Sequence, residues 1–283
     1  MFAYHAFAIA CGGEIIRPVA QPIPAQATVV LPETGGYESK QVKNVEFHGF
    51  VSIGSARSEV GGSYDRDRDA YTTYTSTVLE KVNFCDMVTA DRIVARQSYS
   101  QIGEMEARRS SSRVGEEHEP SFSIVGTHFE NLRVAGHRVD IALDIEMFRQ
   151  LDTFSRIQQA YKAGKLEGYL HGGELLQEVD GYDHPALRGL REQNARFKYK
   201  NSSGVPRQYS LANHLKLEAP GLKSFGSIIL VPDFGVVSLA ELSVARGQRK
   251  LSMLRLDLGS PIEGKLVGAT CGVGDGTDST GPR

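Results

Sequence analysis

Asp65, Asp67 and Asp69 stand at the spacing of the first three ligands of a helix-loop-helix calcium loop, the strongest metal-like signal in the chain. The later positions break the pattern. Ala70 stands where that loop needs glycine, Ser76 where it needs a bidentate glutamate, and Arg66 and Arg68 offset the carboxylate charge. A solvated hairpin tip fits better. None of the eight histidines forms an H-E-x-x-H pair, so metal-dependent hydrolysis gains no support. The densest set of candidate metal ligands is His171, Glu174, Asp183 and His184. The competing reading makes His171-Gly172-Gly173 a turn and His184 the residue before Pro185 at a helix start. The candidate catalytic residues are His128, Glu130 and His137, placed at the ends of predicted strands, where site residues collect. Turn capping is the competing role for both histidines.

Other chemistries find no foothold. There is no G-x-S-x-G elbow, and no cysteine stands beside a base. Gly272, Gly274 and Gly276 imitate a phosphate loop, but no helical pattern follows to offer its N-terminus to phosphate. No cofactor is expected. Cys11, Cys85 and Cys271 are odd in number and far apart, which speaks against a disulfide framework or a zinc ribbon. They read as small buried hydrophobes. Asn201-Ser202-Ser203 fits a glycosylation acceptor but reads as a polar turn.

The elements that must position these residues follow from periodicity. Val45, Phe47, Val51 and Ile53 share one parity, the period of a half-buried strand. Tyr71 to Leu79 is rich in Thr and Tyr, and pairs in a hairpin across the Gly61 to Asp69 loop. Strands are also expected at Ala27 to Leu31, Val82 to Met87, Arg92 to Arg96, Ser121 to Val125, Val139 to Leu143, Gln208 to Leu217 and Ser227 to Val231. Val236 to Arg246 and Leu251 to Leu258 form a hairpin across Gly247-Gln248. Pro18, Pro22 and Pro24 keep Arg17 to Gln26 extended and out of central pairing. Glu104 to Pro120 is a charged loop. Phe148, Leu151, Phe154, Ile157 and Tyr161 switch to helical period and predict a helix over 152–163. A second helix is expected over 183–196, with Asp183 as N-cap.

The predicted fold is therefore mainly β: an antiparallel sandwich or barrel-like core over 1–271, a partly helical insertion at 145–200, and a flexible tail at 272–283. With 283 residues the chain buries a core without staples, and its 40% hydrophobic and 23% charged residues exclude wholesale disorder. The 32 basic and 34 acidic residues are spread along the chain, so nucleic acid is not an expected partner. Met1 to Ala10 is apolar but carries no basic residue and is too short for an export signal. No run approaches the roughly 20 apolar residues of a membrane span. A cytoplasmic location without membrane partners is expected. Val88 to Arg96 and Val237 to Arg246 share a Val-Ala-Arg ending, too little to establish a repeat.

The segments Asp86 to Arg96, Gly126 to His137 and Leu251 to Leu256 resemble an uncharacterised group of bacterial proteins, over most of the chain. That resemblance implies no activity, ligand or site residue. The leading functional expectation is a non-catalytic binding or structural protein that self-associates, or binds another protein, through sheet edges or extended arms. The alternatives are a hydrolase whose His and carboxylate groups converge only in the fold, and a carbohydrate-binding sandwich. The lack of any Trp weighs against the latter, although Tyr can substitute.

Overall fold

The computed structural model describes residues 2–18, 20–103, 119–170, 207–212, 215–259 and 262–274. The strands of the first half are β1 (His5–Arg17), β2 (Gln21–Gln26), β3 (Val29–Val30), β4 (Gly36–Phe47), β5 (Val51–Asp65), β6 (Ala70–Phe84) and β7 (Val88–Ile102). Short strands follow: β8 (Ser121–Ser123), β9 (His128–Glu130), β10 (Arg133–Val134), β11 (His137–Arg138) and β12 (Asp140–Ile141). Two helices, α1 (Ile145–Gln150) and α2 (Phe154–Lys162), precede β13 (Arg207–Ser210), β14 (Leu215–Lys216), β15 (Lys223–Phe225), β16 (Ile228–Val231), β17 (Gly235–Ala245), β18 (Gln248–Leu258) and β19 (Glu263–Gly274).

These strands make an antiparallel sandwich, not a closed barrel. One sheet runs β15-β16-β17-β18-β19-β1-β2, with β13 also on β17 and β3 on β1. The other runs β11-β10-β7-β6-β5-β4, with β8 and β9 sharing the far side of β7. A separate ladder joins β12 to β14. The sheets meet where β5, β6 and β7 pack on β1, β18 and β19. Period-two burial supplies the contact: Thr73, Thr75, Thr77, Leu79, Val82 and Phe84 of β6 are all buried. Two of these threonines bond the backbone of the opposite sheet, Thr75 donating to Phe7 O (3.1 Å) and Thr77 to Thr270 O (3.3 Å). Their buried hydroxyls therefore hold partners across the sandwich.

The buried parity changes partway along the strands. Lys81, at φ +55°, separates Leu79 from Val82, and the β6–β7 register is the same on both sides of it, Glu80↔Arg92 and Val82↔Ala90. In β17 the core residues Val237 and Leu239 give way to Leu242 and Val244 around Ala240, at φ +53°. The buried parity changes there while the register is kept, so neither strand gains a residue over its neighbour, Leu239↔Leu254 passing to Glu241↔Ser252. β7 changes in the same way, Val88 and Ala90 giving way to Ile93 and Ala95. Val88–Arg96 and Val237–Arg246 thus share a change of buried parity partway along their strands.

Several expectations are corrected. Val45 to Ile53 is not one strand but a hairpin, β4 turning through 48–50 into β5, with Val45 opposite Ile53 and Phe47 opposite Val51. Directly opposed residues share a face, so the parity reads straight through the turn. The segment Val82 to Met87 likewise ends at Phe84, where Cys85 (φ +55°) and Asp86 (φ +54°) turn the chain. Gln208 to Leu217 divides into β13 and β14, which belong to different sheets. Of the predicted strand Val139 to Leu143, only Asp140–Ile141 pairs. Gly272–Gly274 lie within β19, paired to β1 and β18, and are no tail.

Other expectations hold. The hairpin across the Asp-rich tip forms from β5 and β6, and that of β17 and β18 closes at Arg246-Gly247 with Ala245 opposite Gln248. β2, with Pro22 and Pro24, sits at a sheet edge. The expected helix over 152–163 appears as α2, capped by Thr153, whose side chain accepts from Arg156 N. α1 is a separate turn-and-a-half before it, capped by Asp144. The buried Arg249 joins both helices to the sandwich: its guanidinium donates to Leu151 O and Asp152 O and lies 4.2 Å over the Phe122 ring. The expected helix over 183–196 and most of the loop Glu104 to Pro120 lie outside the described residues. Among the described residues no helix is long and apolar enough to cross a membrane.

Candidate functional site

The far side of β7 is where the sequence candidates His128, Glu130 and His137 fall. β7 is longer than any partner on that side, so three short strands share it: β8 at Ser98–Ser100, β9 at Arg92–Val94 and β10 at Val88–Thr89. Thr127 starts β9 by standing in for a strand residue. Its hydroxyl accepts from Arg96 N (3.0 Å) and donates to Arg96 O (3.1 Å). Asn131, at φ +50°, ends β9, and its amide donates to Asp91 Oδ2 (2.6 Å). The β10–β11 hairpin then closes on Ala135 (φ +49°) and Gly136 (φ +78°), the two positive values that a type I′ turn requires.

His128 and Glu130 lie on one face of β9. His128 Nε2 is 3.0 Å from Glu130 Oε1, and Nδ1 is 2.9 Å from Gly126 O. Glu130 also stands 3.8 Å from the Arg92 guanidinium. Both imidazole nitrogens thus face acceptors within the chain, which leaves neither aimed at a substrate as a base. The arrangement is a hydrogen-bonded pair on the strand surface. His137 is exposed on β11, opposite Val134, and bonds neither of the other two. The other candidates, His171, Glu174, Asp183 and His184, lie outside the described residues.

Of the three aspartates at the hairpin tip, two accept local hydrogen bonds. Asp65 Oδ1 accepts from Asp67 N (2.9 Å) and Arg68 N (3.2 Å), while Asp69 accepts the Tyr64 hydroxyl (2.5 Å), which pushes that phenol up to about 12. Among the described residues no group of three or more His, Cys, Asp or Glu is placed to hold a metal ion. The thiols are not poised to react either. Burial pushes Cys11 up to about 12 and, with Asp86 adding, Cys85 up to about 11, and burial also raises Cys271.

Two features of this molecule escaped the search for motifs. A cleft of about 400 Å³ opens beside β9, between β11 and the β12–β14 ladder, lined by Phe129, Leu132, Val139 and Ile141 and bordered by Asn131, Arg138, Asp140 and Lys216. Asp140 and Lys216 are brought opposite each other by the ladder, 76 positions apart in the chain. No local spacing signals such a pair. The second feature is β4, the outermost strand of its sheet, which among the described residues is paired to β5 alone and is exposed along most of its length.

Residues 2–245 match the profile of a family described as a domain of unknown function (DUF8256). No curated protein and no solved structure matches the chain.

Proposed function

We propose, for a chain that belongs to the DUF8256 family, a non-catalytic role in which two copies join through the open edge of β4. The observation that carries this reading is the contrast, among the described residues, between that edge and the other strands that end the two sheet orders, β2, β15 and β11. β2 is blunted by Pro22 and Pro24, β15 has three residues and β11 only two, all of them devices that keep a sheet from pairing outward. β4 runs twelve residues without a proline, and its outer N–H and C=O groups are offered to another strand. Its charges, Glu38, Lys40, Lys43 and Glu46, balance, so two copies meet without net repulsion. The same charges restrict pairing to registers that set Glu beside Lys, which guards against indiscriminate stacking.

Size-exclusion chromatography with light scattering tests this. Wild type is expected as a dimer at micromolar concentration. In a strand, neighbouring N–H groups point to opposite sides, so of Gln41→Pro and Val42→Pro one removes an outward donor and the other a donor to β5. One of the two variants should be monomeric with an unchanged melting temperature, and the other destabilised. A wild type that stays monomeric at all concentrations, or a dimer that survives both substitutions, overturns the proposal.

A further inference from the structure

We infer that the cleft beside β9 is a binding site for a small organic monocarboxylate with an apolar body. Its volume, about 400 Å³, lies within the range of roughly 300–1,000 Å³ in which proteins hold small ligands. The lining divides by chemistry: Phe129, Leu132, Val139 and Ile141 give an apolar floor, Leu132 and Val139 being buried, while Arg138, Asp140, Lys216 and Asn131 stand at the rim. That is the composition of a ligand pocket, apolar walls with few polar groups to fix orientation.

The charge at the rim selects the head group. Arg138 is held by Asp140, Nε to Oδ1 2.8 Å, and Lys216 faces the same Asp140 across the ladder. Two cations against one carboxylate leave a single positive charge, which a monoanion neutralises and a phosphate dianion would overfill. Arg133 and Arg138 are directly opposite each other in the β10–β11 hairpin, a like-charge pair that Asp140 already relieves on the Arg138 side. Arg133 turns to its own hairpin, donating to Gly136 O (3.2 Å), so the fork of Arg138 with Lys216 is what meets the ligand carboxylate. The Asn131 amide is held by Asp91 (2.6 Å), which fixes the polar rim on the β9 side.

The test is a titration of the full chain with phenylacetate, phenyl phosphate and the neutral benzyl alcohol, followed by calorimetry and by amide NMR shifts. Phenylacetate should shift the amides of Phe129, Asn131, Ile141 and Lys216, and bind more tightly than either analogue. Lys216→Gln and Arg138→Gln, both at exposed positions, should each weaken it about fivefold, the effect of one exposed charge contact of about 1 kcal/mol. Added salt should weaken it as well. Ile141→Trp, which fills the floor, should abolish binding while the melting temperature of the two charge variants stays that of wild type. Equal affinity for benzyl alcohol, tighter binding of phenyl phosphate, shifts located elsewhere, or no binding at about 10 mM phenylacetate, a concentration well above the millimolar range of weak ligands, would each overturn the assignment.

Discussion

Lys81 lies across Gly54 on the neighbouring strand, so that a Cβ built on Gly54 would come within 3.0 Å of the Lys81 Cβ and Cδ. Lys81, in the left-handed region at φ +55°, stands opposite Gly54 between the pairs Ile53↔Val82 and Ser55↔Glu80, and the glycine leaves room for its side chain. Gly54→Val should therefore destabilise the fold by about 1–3 kcal/mol, the usual penalty for overpacking. Lys81→Gly removes a side chain from a left-handed backbone and should be neutral or stabilising by up to about 1 kcal/mol. Urea denaturation of the two variants checks both signs.

Arg249 is a buried cation whose guanidinium, among the described residues, donates to two main-chain carbonyls and lies over an aromatic face, with the Asp152 and Glu119 carboxylates acting on it from farther off. Burial pulls its guanidinium down to about 10. Arg249→Ala leaves the Leu151 and Asp152 carbonyls unpartnered and should lower stability by about 2–4 kcal/mol. Arg249→Lys keeps the charge but not the fork, and should fall between the two. Proteolysis between β12 and α2 should accelerate in the same order.

The His128–Glu130 pair is solvent-exposed at both ends. His128→Asn and Glu130→Gln should each change stability by less than about 1 kcal/mol, as exposed pairs do. Thermal melts in low and high salt provide the measurement. A larger loss would mean that the pair supports the β7 edge rather than decorating it.

Alkaline pH should unfold the protein in a way that traces to buried thiols. The unfolded chain releases the Cys11 proton near the ordinary value of 9.0, whereas the folded chain holds it to about 12. Across that window the unfolded state binds fewer protons, so stability is intact below pH 9 and falls as pH rises towards 12. Arg249 opposes this above about 10, because there the folded state is the one that releases its proton first. The quantity to read is the difference between wild type and Cys11→Ala, whose stability should decline less steeply from pH 9 upward.

Most of the strands were legible because alternation in residues such as Val51, Ile53, Leu254 and Leu256 is imposed by burial of one sheet face on the core. The turn at 48–50 was hidden, because facing residues of a hairpin share a parity, and only the positive φ of His48 and Gly49 marks it. The candidate site was largely illegible. Its rim depends on Asp140 meeting Lys216, and its floor on Phe129 meeting Ile141, pairings that arise from tertiary structure rather than from any spacing. The β4 edge did leave a trace: Glu38 and Lys40 on one parity, Ser39 and Gln41 on the other, polar on both faces. A strand with nothing to bury has no alternation to detect.

The two long strands farthest apart in the chain, β1 and β19, are immediate neighbours in the middle of their sheet, paired from His5↔Gly274 to Arg17↔Glu263. During synthesis on the ribosome, β1 emerges before β19 and waits for the segment 18–262 before that partner exists. The edge of β1 that faces β19 spends that interval open, with β2 and β3 on its other side, a period in which chaperone engagement matters most. Zipping β1 to β19 closes a loop spanning 18–262, an entropic toll that places such a molecule among the slow folders, on a timescale of roughly milliseconds to seconds or longer.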